Sequence, residues 1–227
     1  MIKVFMIKVF LDSSNFEDIQ VFQDQVSGFT TNPSLMRKSG VSHYEVFCNE
    51  LLRMTNKPVS FEVFADEFDE MQRQAEIIAS WGDNVYVKIP VMNTKGKSSI
   101  QLVNKLLASG VKVNITAVMS ENQLSGLGET RTPHIISVFA GRIADTGRDP
   151  TTVIFDVKNR TYASGEVLWA STREVYNIYQ AETEGADIIT VTPEILKKYH
   201  SWKGKDLFQC SLETVKQFYD DGKDFVL

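Results

Sequence analysis

Short runs of β-branched and aromatic residues alternate with stretches of helical periodicity along the chain, and this alternation restricts the fold more than any other feature. Strands that alternate with helices pair in parallel, because each helix returns the chain to the edge where the next strand starts. The sequence predicts eight strands, at 8–11, 28–31, 59–64, 85–90, 111–116, 135–139, 166–170 and 188–191. It predicts helices at 16–25, 43–55, 66–81, 97–108, 121–127, 150–156, 172–184, 193–199 and 212–221.

Eight strand–helix units in 227 residues predict an α/β fold, a single closed (β/α)8 TIM barrel with an extra C-terminal helix at about 212–221. A doubly wound open sheet is the alternative, but no glycine-rich phosphate loop follows the first predicted strand. No linker or shift in composition divides the chain, so we expect residues 1–227 to form one domain.

Composition and charge narrow the classes of function. The chain is 43% hydrophobic and 23% charged, which excludes a disordered protein. Its net charge of -5 does not attract a polyanion over the whole surface, so nucleic-acid binding is not expected. No apolar run reaches the ~18 residues of a membrane span. Cys48 and Cys210 lack the spacing of a disulfide framework or a metal site, which indicates a reducing compartment and a cytoplasmic protein.

The three histidines give no sign of a metal centre. His43, His134 and His200 share no ligand spacing, so neither a metal nor another cofactor is expected. The chain also opens with an exact duplication, in which residues 1–5 and 6–10 both read MIKVF. Five residues are too few for a packing unit, so we interpret the first copy as an alternative start or a cloning scar.

Three charged side chains interrupt strands that should be apolar. Parallel strands are buried on both faces, yet Asp12 ends the first strand, Glu62 lies in the third and Lys88 lies in the fourth. The carboxyl ends of barrel strands converge on the face where active sites lie, so we expect these three residues to share one site. The alternative for each is a charge at a strand end that reaches water.

Lys88 is flanked by Val87 and Ile89, and this setting favours a nucleophilic amine. Burial disfavours the charged form of an amine, and a neutral amine condenses with a ketone to give a Schiff base. A protonated Schiff base withdraws electrons, so a neighbouring carbon–carbon bond can break. That reaction also needs a carboxylate to move the proton of a hydroxyl group, and Asp12 or Glu62 can do so.

Other polar side chains fall at the ends of further strands. Taken singly, the threonines and asparagines are typical of loops and caps. Arg142 and Arg173 differ, because they follow late strands and Ser171 lies beside them. Late loops of such barrels often hold phosphate, and the forked donors of arginine suit that anion.

Six blocks, in chain order, resemble the small-subunit transaldolases and the closely related fructose-6-phosphate aldolases, which are class I aldolases. The blocks lie at 10–15, 28–35, 87–90, 114–116, 137–143 and 170–173, so the match runs in order along most of the chain. The pair TTNPS and VKIP is specific to this family. The resemblance implies a barrel that moves a dihydroxyacetone unit from a ketose phosphate to an aldose phosphate, without a cofactor.

The resemblance also implies roles for individual residues. Lys88 would be the Schiff-base lysine, Asp12 would take the proton of the sugar hydroxyl, and Glu62 with Thr116 would hold a proton-shuttling water. The implied substrate contacts, to hydroxyls and to phosphate, are Thr31, Asn32, Asn114, Ser137, Phe139, Arg142, Ser171 and Arg173.

Two positions favour the transaldolase branch, since Glu62 and Phe139 stand where the aldolase branch carries Gln and Tyr. Departures from the family pattern at 13–14, 91–96 and 126–134 leave the sugar open. The alternatives are a lyase that releases free dihydroxyacetone, an enzyme for a sulfonated sugar, and a non-catalytic sugar-phosphate-binding barrel.

The resemblance further implies a homo-oligomer, a pentamer or a decamer, in which the C-terminal helix reaches a neighbour. An apolar stripe on that helix, which needs a partner surface, supports this expectation; its residues are Leu212, Val215, Phe218 and Tyr219.

Overall fold

The fold is a closed barrel of eight parallel strands in chain order, in a computed structural model that describes residues 7–225. This confirms the predicted (β/α)8 barrel over the open sheet. The duplicated segment 1–5 lies outside the described residues. The strands are β1 Lys8–Asp12, β2 Gly28–Thr30, β3 Val59–Glu62, β4 Val85–Pro90, β5 Val113–Val118, β6 His134–Val138, β7 Gly165–Trp169 and β8 Ile188–Val191.

Helices follow the strands around the barrel. Within residues 7–225 they are α1 Phe16–Phe22, α2 Pro33–Lys38, α3 Tyr44–Met54, α4 Phe68–Ala79, α5 Ile100–Ala108, α6 Ala140–Asp145, α7 Thr151–Arg160, α8 Tyr176–Thr183, α9 Pro193–Trp202 and α10 Leu207–Gly222. Single 3-10 turns at Gln23–Gln25 and Glu121–Leu124 replace parts of two predicted helices.

Three features of the helices differ from the sequence prediction. The helices α2 and α6 were not predicted. Each has six residues, which are too few to show a periodic pattern in the sequence. The C-terminal helix starts at Leu207 rather than near 212, because Asp206 caps it by accepting a hydrogen bond from the backbone N–H of Gln209 at 3.0 Å.

Alternate residues of each strand face the helices or the barrel interior, and the interior has two layers. Its lower layer is a small apolar cluster that contains Phe10, Ile135, Leu168 and Ile188. Gly28 makes room for it, since a Cβ there would lie 2.6 Å from the ring of Phe10. Above this layer the inward side chains become polar, and this polar part of the interior, at the carboxyl ends of the strands, contains the candidate site.

Candidate active site

A cleft of about 300 Å³ opens at the carboxyl ends of the strands. Nine of the residues implied by the family resemblance line it: Asp12, Asn32, Glu62, Lys88, Thr116, Ser137, Phe139, Arg142 and Ser171. Residues that were not assigned to the site also line it, namely Thr30, Pro33, Ser34, Leu168, Ala170 and Thr190. Three of the expected residues, Thr31, Asn114 and Arg173, lie outside this lining set.

Lys88 is buried at the floor of the cleft, with 6% of its surface exposed. Its Nζ donates a hydrogen bond to the backbone carbonyl oxygen of Thr31 at 2.8 Å and lies 3.2 Å from Oε2 of Glu62. The parallel register pairs Glu62 directly with Lys88, so the two side chains enter the barrel side by side. The buried charge is therefore paired, and the amine is held at a fixed point of the cleft.

Asp12, at the end of β1, is the second carboxylate of the cleft. The hydroxyl of Thr30 donates to its Oδ1 at 2.9 Å, and the amide of Asn32 contacts its Oδ2 at 3.5 Å. Burial raises the pKa of Asp12 above its usual range, although the charge of Lys88 and the two hydrogen bonds act in the opposite direction. A carboxyl group with a raised pKa is suited to take up a proton and return it.

Thr116 carries a hydroxyl that has no hydrogen-bond partner among the described residues, although it is buried. The register between β5 and β6 shifts between Ile115 and Val118, and Ala117 takes a positive φ of 62°. This bulge interrupts the pairing of β5 with β6 at Thr116 and Ala117, and the pairing resumes at Val118. Thr116 lines the same cleft as Lys88, so its unpaired hydroxyl can bind a polar group that enters there.

A buried hydrogen-bonded chain lies beneath the cleft. Ser137 donates to Oδ1 of Asn114 at 2.7 Å, and the Asn114 amide donates to the hydroxyl of Ser60 at 3.0 Å. Thr31 donates to the carbonyl oxygen of Ser60 at 2.9 Å. Asn114 and Thr31 thus support the floor of the cleft, and Ser137 connects that floor to the lining.

The two arginines expected to bind phosphate make different contacts. The guanidinium of Arg142 lies 5.6 Å from the centre of the Phe139 ring, and both residues line the cleft. Arg173 instead makes two hydrogen bonds to the carboxylate of Asp145, at 3.2 and 2.6 Å. Ser171 joins Arg142 in the lining and takes a positive φ of 64°.

Gly141 allows the helix α6 to pack against the loop that carries Ser171. A Cβ at Gly141 would lie only 1.7 Å from the carbonyl oxygen of Ser171, a contact that no side chain can make. The backbone N–H of Gly141 donates to the carbonyl oxygen of Ala170 at 3.3 Å. This close approach places Arg142 and Ser171 on the same side of the cleft.

Thr190 is a residue that the sequence analysis missed. Its hydroxyl lies 2.6 Å from that of Thr30, which in turn donates to Asp12, so a chain of hydroxyl groups reaches the carboxylate. The sequence did contain one sign of this residue, because Thr190 is the single polar side chain in the otherwise apolar strand β8 and lies at an inward position.

The fold and the cleft together define a class, the (β/α)8 barrels that hold a buried lysine and two carboxylates at the carboxyl end, where barrel enzymes bind their substrates. Within that class, the chain belongs to the Transaldolase/Fructose-6-phosphate aldolase family, whose model matches residues 9–225.

Individual relatives agree with this membership. A probable transaldolase of Bartonella henselae is 34% identical over 195 residues, which cover 84% of this chain and 87% of the relative. A probable transaldolase of Methanococcus maripaludis is 36% identical over 196 residues, with 84% and 88% covered. These names and the family support a transaldolase-type enzyme.

Among solved structures, the α-subunit of tryptophan synthase from Pyrococcus furiosus superposes with a TM-score of 0.58. It is 11% identical, and the match covers 89% of this chain and 93% of that one. The likeness shows the barrel fold alone. In the part of the chain that the structure describes, no helix is long and apolar enough to cross a membrane.

Proposed function

We propose that this protein is a transaldolase that moves a dihydroxyacetone unit from a ketose phosphate to an aldose phosphate through a Schiff base on Lys88. The observation that carries the proposal is the buried amine of Lys88, 3.2 Å from the Glu62 carboxylate, in a cleft that Asp12 also lines. The family membership supports the same class of reaction.

The first half-reaction joins the donor to the enzyme. The Lys88 amine attacks the ketone carbon, and the resulting carbinolamine loses water to give a protonated Schiff base. Glu62, whose carboxylate lies 3.2 Å from the Lys88 amine, and the free hydroxyl of Thr116, a residue that lines the same cleft, transfer the protons, directly or through water. Asp12 then removes the proton of the donor hydroxyl, the carbon–carbon bond breaks, and an aldehyde leaves.

The second half-reaction reverses these steps on a new acceptor. The three-carbon enamine on Lys88 attacks the acceptor aldehyde, Asp12 returns its proton to the new hydroxyl, and water releases the product. The raised pKa of Asp12 suits it to both directions of proton transfer. Asn32 and Ser137 are placed to bind hydroxyls of the bound unit.

Arg142 and Ser171 form the proposed anion subsite. The guanidinium has two parallel donors for a tetrahedral oxyanion, and the Phe139 ring below it restricts its position. Arg173 does not line this subsite. Its hydrogen bond to Asp145 instead holds the loop after β7 against α6. A sulfonate presents the same shape as a phosphate, so the assay panel includes a sulfonated ketose.

The test is borohydride trapping across a panel of ketose phosphates, read by intact mass. Wild-type protein is expected to gain the mass of a reduced adduct, and Lys88→Met is expected to gain none and to lose all transfer activity. Melting temperatures confirm that both proteins are folded. A Lys88→Met protein with wild-type activity would falsify the Schiff-base mechanism.

The runner-up function is a lyase that releases free dihydroxyacetone. Glu62 favours transfer, because the aldolase branch resembles this chain but carries Gln at that position. We expect Glu62→Gln to slow transfer to an acceptor by roughly 10²–10⁴-fold and to move activity toward cleavage. Rates with and without an acceptor aldehyde measure both activities. Equal transfer rates in Glu62→Gln and the wild type would contradict the choice of a transaldolase over a lyase.

We further propose that the protein acts in the cytoplasm as a homo-oligomer, a pentamer or a decamer. The helix α10 buries none of its residues, and its large apolar side chains are exposed, among them Leu207 at 84%, Phe208 at 76% and Tyr219 at 71%. Such a stripe is typical of a surface that packs against another chain. The free thiols of Cys48 and Cys210 suit a reducing compartment.

A further inference from the structure

Tyr44, at the start of α3, holds the backbone of Glu62. Its hydroxyl donates a hydrogen bond to the carbonyl oxygen of Glu62 at 2.9 Å and accepts one from the N–H of the same residue at 2.8 Å. A phenol can donate one bond and accept another at the same time, so both bonds are satisfied together. At the end of β3, the backbone of Glu62 therefore forms hydrogen bonds with a helix side chain, where a strand residue would normally bond to the backbone of a neighbouring strand.

The hydrogen bonds between β2 and β3 show what this contact replaces. The N–H of Phe29 donates to the carbonyl oxygen of Pro58, and the N–H of Thr31 donates to that of Ser60. In a parallel ladder the next bond would run from the N–H of Glu62 to the carbonyl oxygen of Thr31. Here that N–H donates to Tyr44 instead, and the Thr31 oxygen accepts a hydrogen bond from the Lys88 amine.

We propose that Tyr44 is a positioning residue for the lysine chemistry, which it performs without touching the substrate. By taking the N–H of Glu62, its hydroxyl leaves the carbonyl oxygen of Thr31 free to hold the Lys88 amine. The same two bonds fix the backbone that aims the Glu62 carboxylate at Lys88. This role rests on the proposed function, since it matters for activity only if Lys88 is the nucleophile.

The surroundings of Tyr44 keep the hydroxyl in place. Its ring packs edge-on against Phe64, with centroids 4.4 Å apart, and against Trp81 at 5.9 Å. Burial raises the pKa of the phenol above its usual range, so the hydroxyl keeps the proton that it donates to Glu62. Because ring packing supplies the stability, Tyr44→Phe is expected to fold and to lose only the contacts of its hydroxyl, which are the two bonds to Glu62 and the contact with the Cys48 thiol.

The test compares Tyr44→Phe with Cys48→Ala. Cys48 lies one turn further along α3, is buried, and has its thiol beside the Tyr44 hydroxyl, so its replacement loosens the same region but leaves both bonds to Glu62. The single-turnover rate of borohydride-trapped adduct formation with fructose 6-phosphate, kcat and KM are measured for both variants and the wild type. Melting temperatures report the structural cost of each substitution.

Tyr44→Phe is expected to lower the trapping rate and kcat about tenfold, the effect of one or two lost hydrogen bonds, and to change KM less than about twofold. Cys48→Ala is expected to keep the wild-type rates at a similar loss of melting temperature. Equal rates in Tyr44→Phe and wild type, or an equal slowing in Cys48→Ala, would overturn the positioning role. If wild-type protein itself forms no adduct, the proposed function fails rather than the role of Tyr44.

Discussion

At the scale of single residues, the Asp12 carboxyl lies beside Lys88, yet its pKa is raised, since burial outweighs the attraction of the lysine. A carboxyl whose pKa is raised by folding stabilises the native state only while it is protonated. That contribution is complete below the usual value of 3.8 and is lost as the pH rises through the raised pKa of the native state. The ionised form of Asp12 therefore costs stability, and it is this form that accepts the substrate proton in the proposed mechanism.

The matching prediction concerns Asp12→Asn. This variant is expected to melt at a higher temperature than the wild type at neutral pH, because it removes a buried charge and keeps a similar shape. The difference in melting temperature should narrow as the pH falls through the raised pKa of native Asp12 toward 3.8, because the wild-type carboxyl becomes protonated over this range. Transfer activity should fall by roughly 10²–10⁴-fold. Melting curves across this pH range and one activity assay measure both effects; a variant less stable than the wild type at neutral pH contradicts the argument.

At the scale of elements, the contact between α6 and the loop after β7 sets the positions of Arg142 and Ser171, the residues of the proposed anion subsite. The obstacle to a side chain at Gly141 is a backbone oxygen, so the loop itself would have to move. The helix has six residues and its position depends on this contact more than on its own stability.

We expect Gly141→Ala to destabilise the fold by about 1–3 kcal/mol through overpacking. It should also raise KM for the phosphorylated substrate, because Arg142 and Ser171 are carried by the two segments that are pushed apart. Gly128→Ala is the control, since its Cβ would meet Asn104 at an ordinary 3.6 Å. Denaturant unfolding measures the stability of both variants, and steady-state kinetics measures their KM. Equal stability and equal KM in the two variants would show that the contact at Gly141 does not position Arg142 and Ser171.

At the scale of the whole molecule, α10 extends past the barrel and buries none of its own residues within the described chain. A helix of sixteen residues with one apolar face gains stability mainly by packing. The large apolar side chains of this face, including Phe218 at 68% exposure, are the surface that the proposed homo-oligomer would bury.

The corresponding prediction is that Phe218→Glu dissociates the oligomer. A charge on the apolar stripe cannot be buried in a contact without a partner, whereas Gln217→Glu adds the same charge at the neighbouring exposed position and should leave the assembly intact. Light scattering at micromolar concentration gives the mass of each protein. A monomeric wild type would contradict the proposed assembly.

The sequence alone predicted the barrel and the three charged side chains that meet in its cleft, for a physical reason. Alternating strands and helices with buried parallel strands leave few topologies, and a charge inside such a strand has to be paired. Lys88, Glu62 and Asp12 were found because they break apolar runs, and the period of two along a strand places them in one barrel interior.

The tertiary structure decided what depends on contacts between distant residues. Arg173 pairs with Asp145, 28 positions away, and Thr31 with Asn114 supports the floor of the cleft rather than its lining. The hydrogen bonds between Tyr44 and Glu62 also could not be predicted from a local sequence pattern, because they join a helix to a strand 18 positions later. Sequence periodicity assigns a residue to a face, but the direction of a loop side chain depends on which neighbours the closed barrel brings to it.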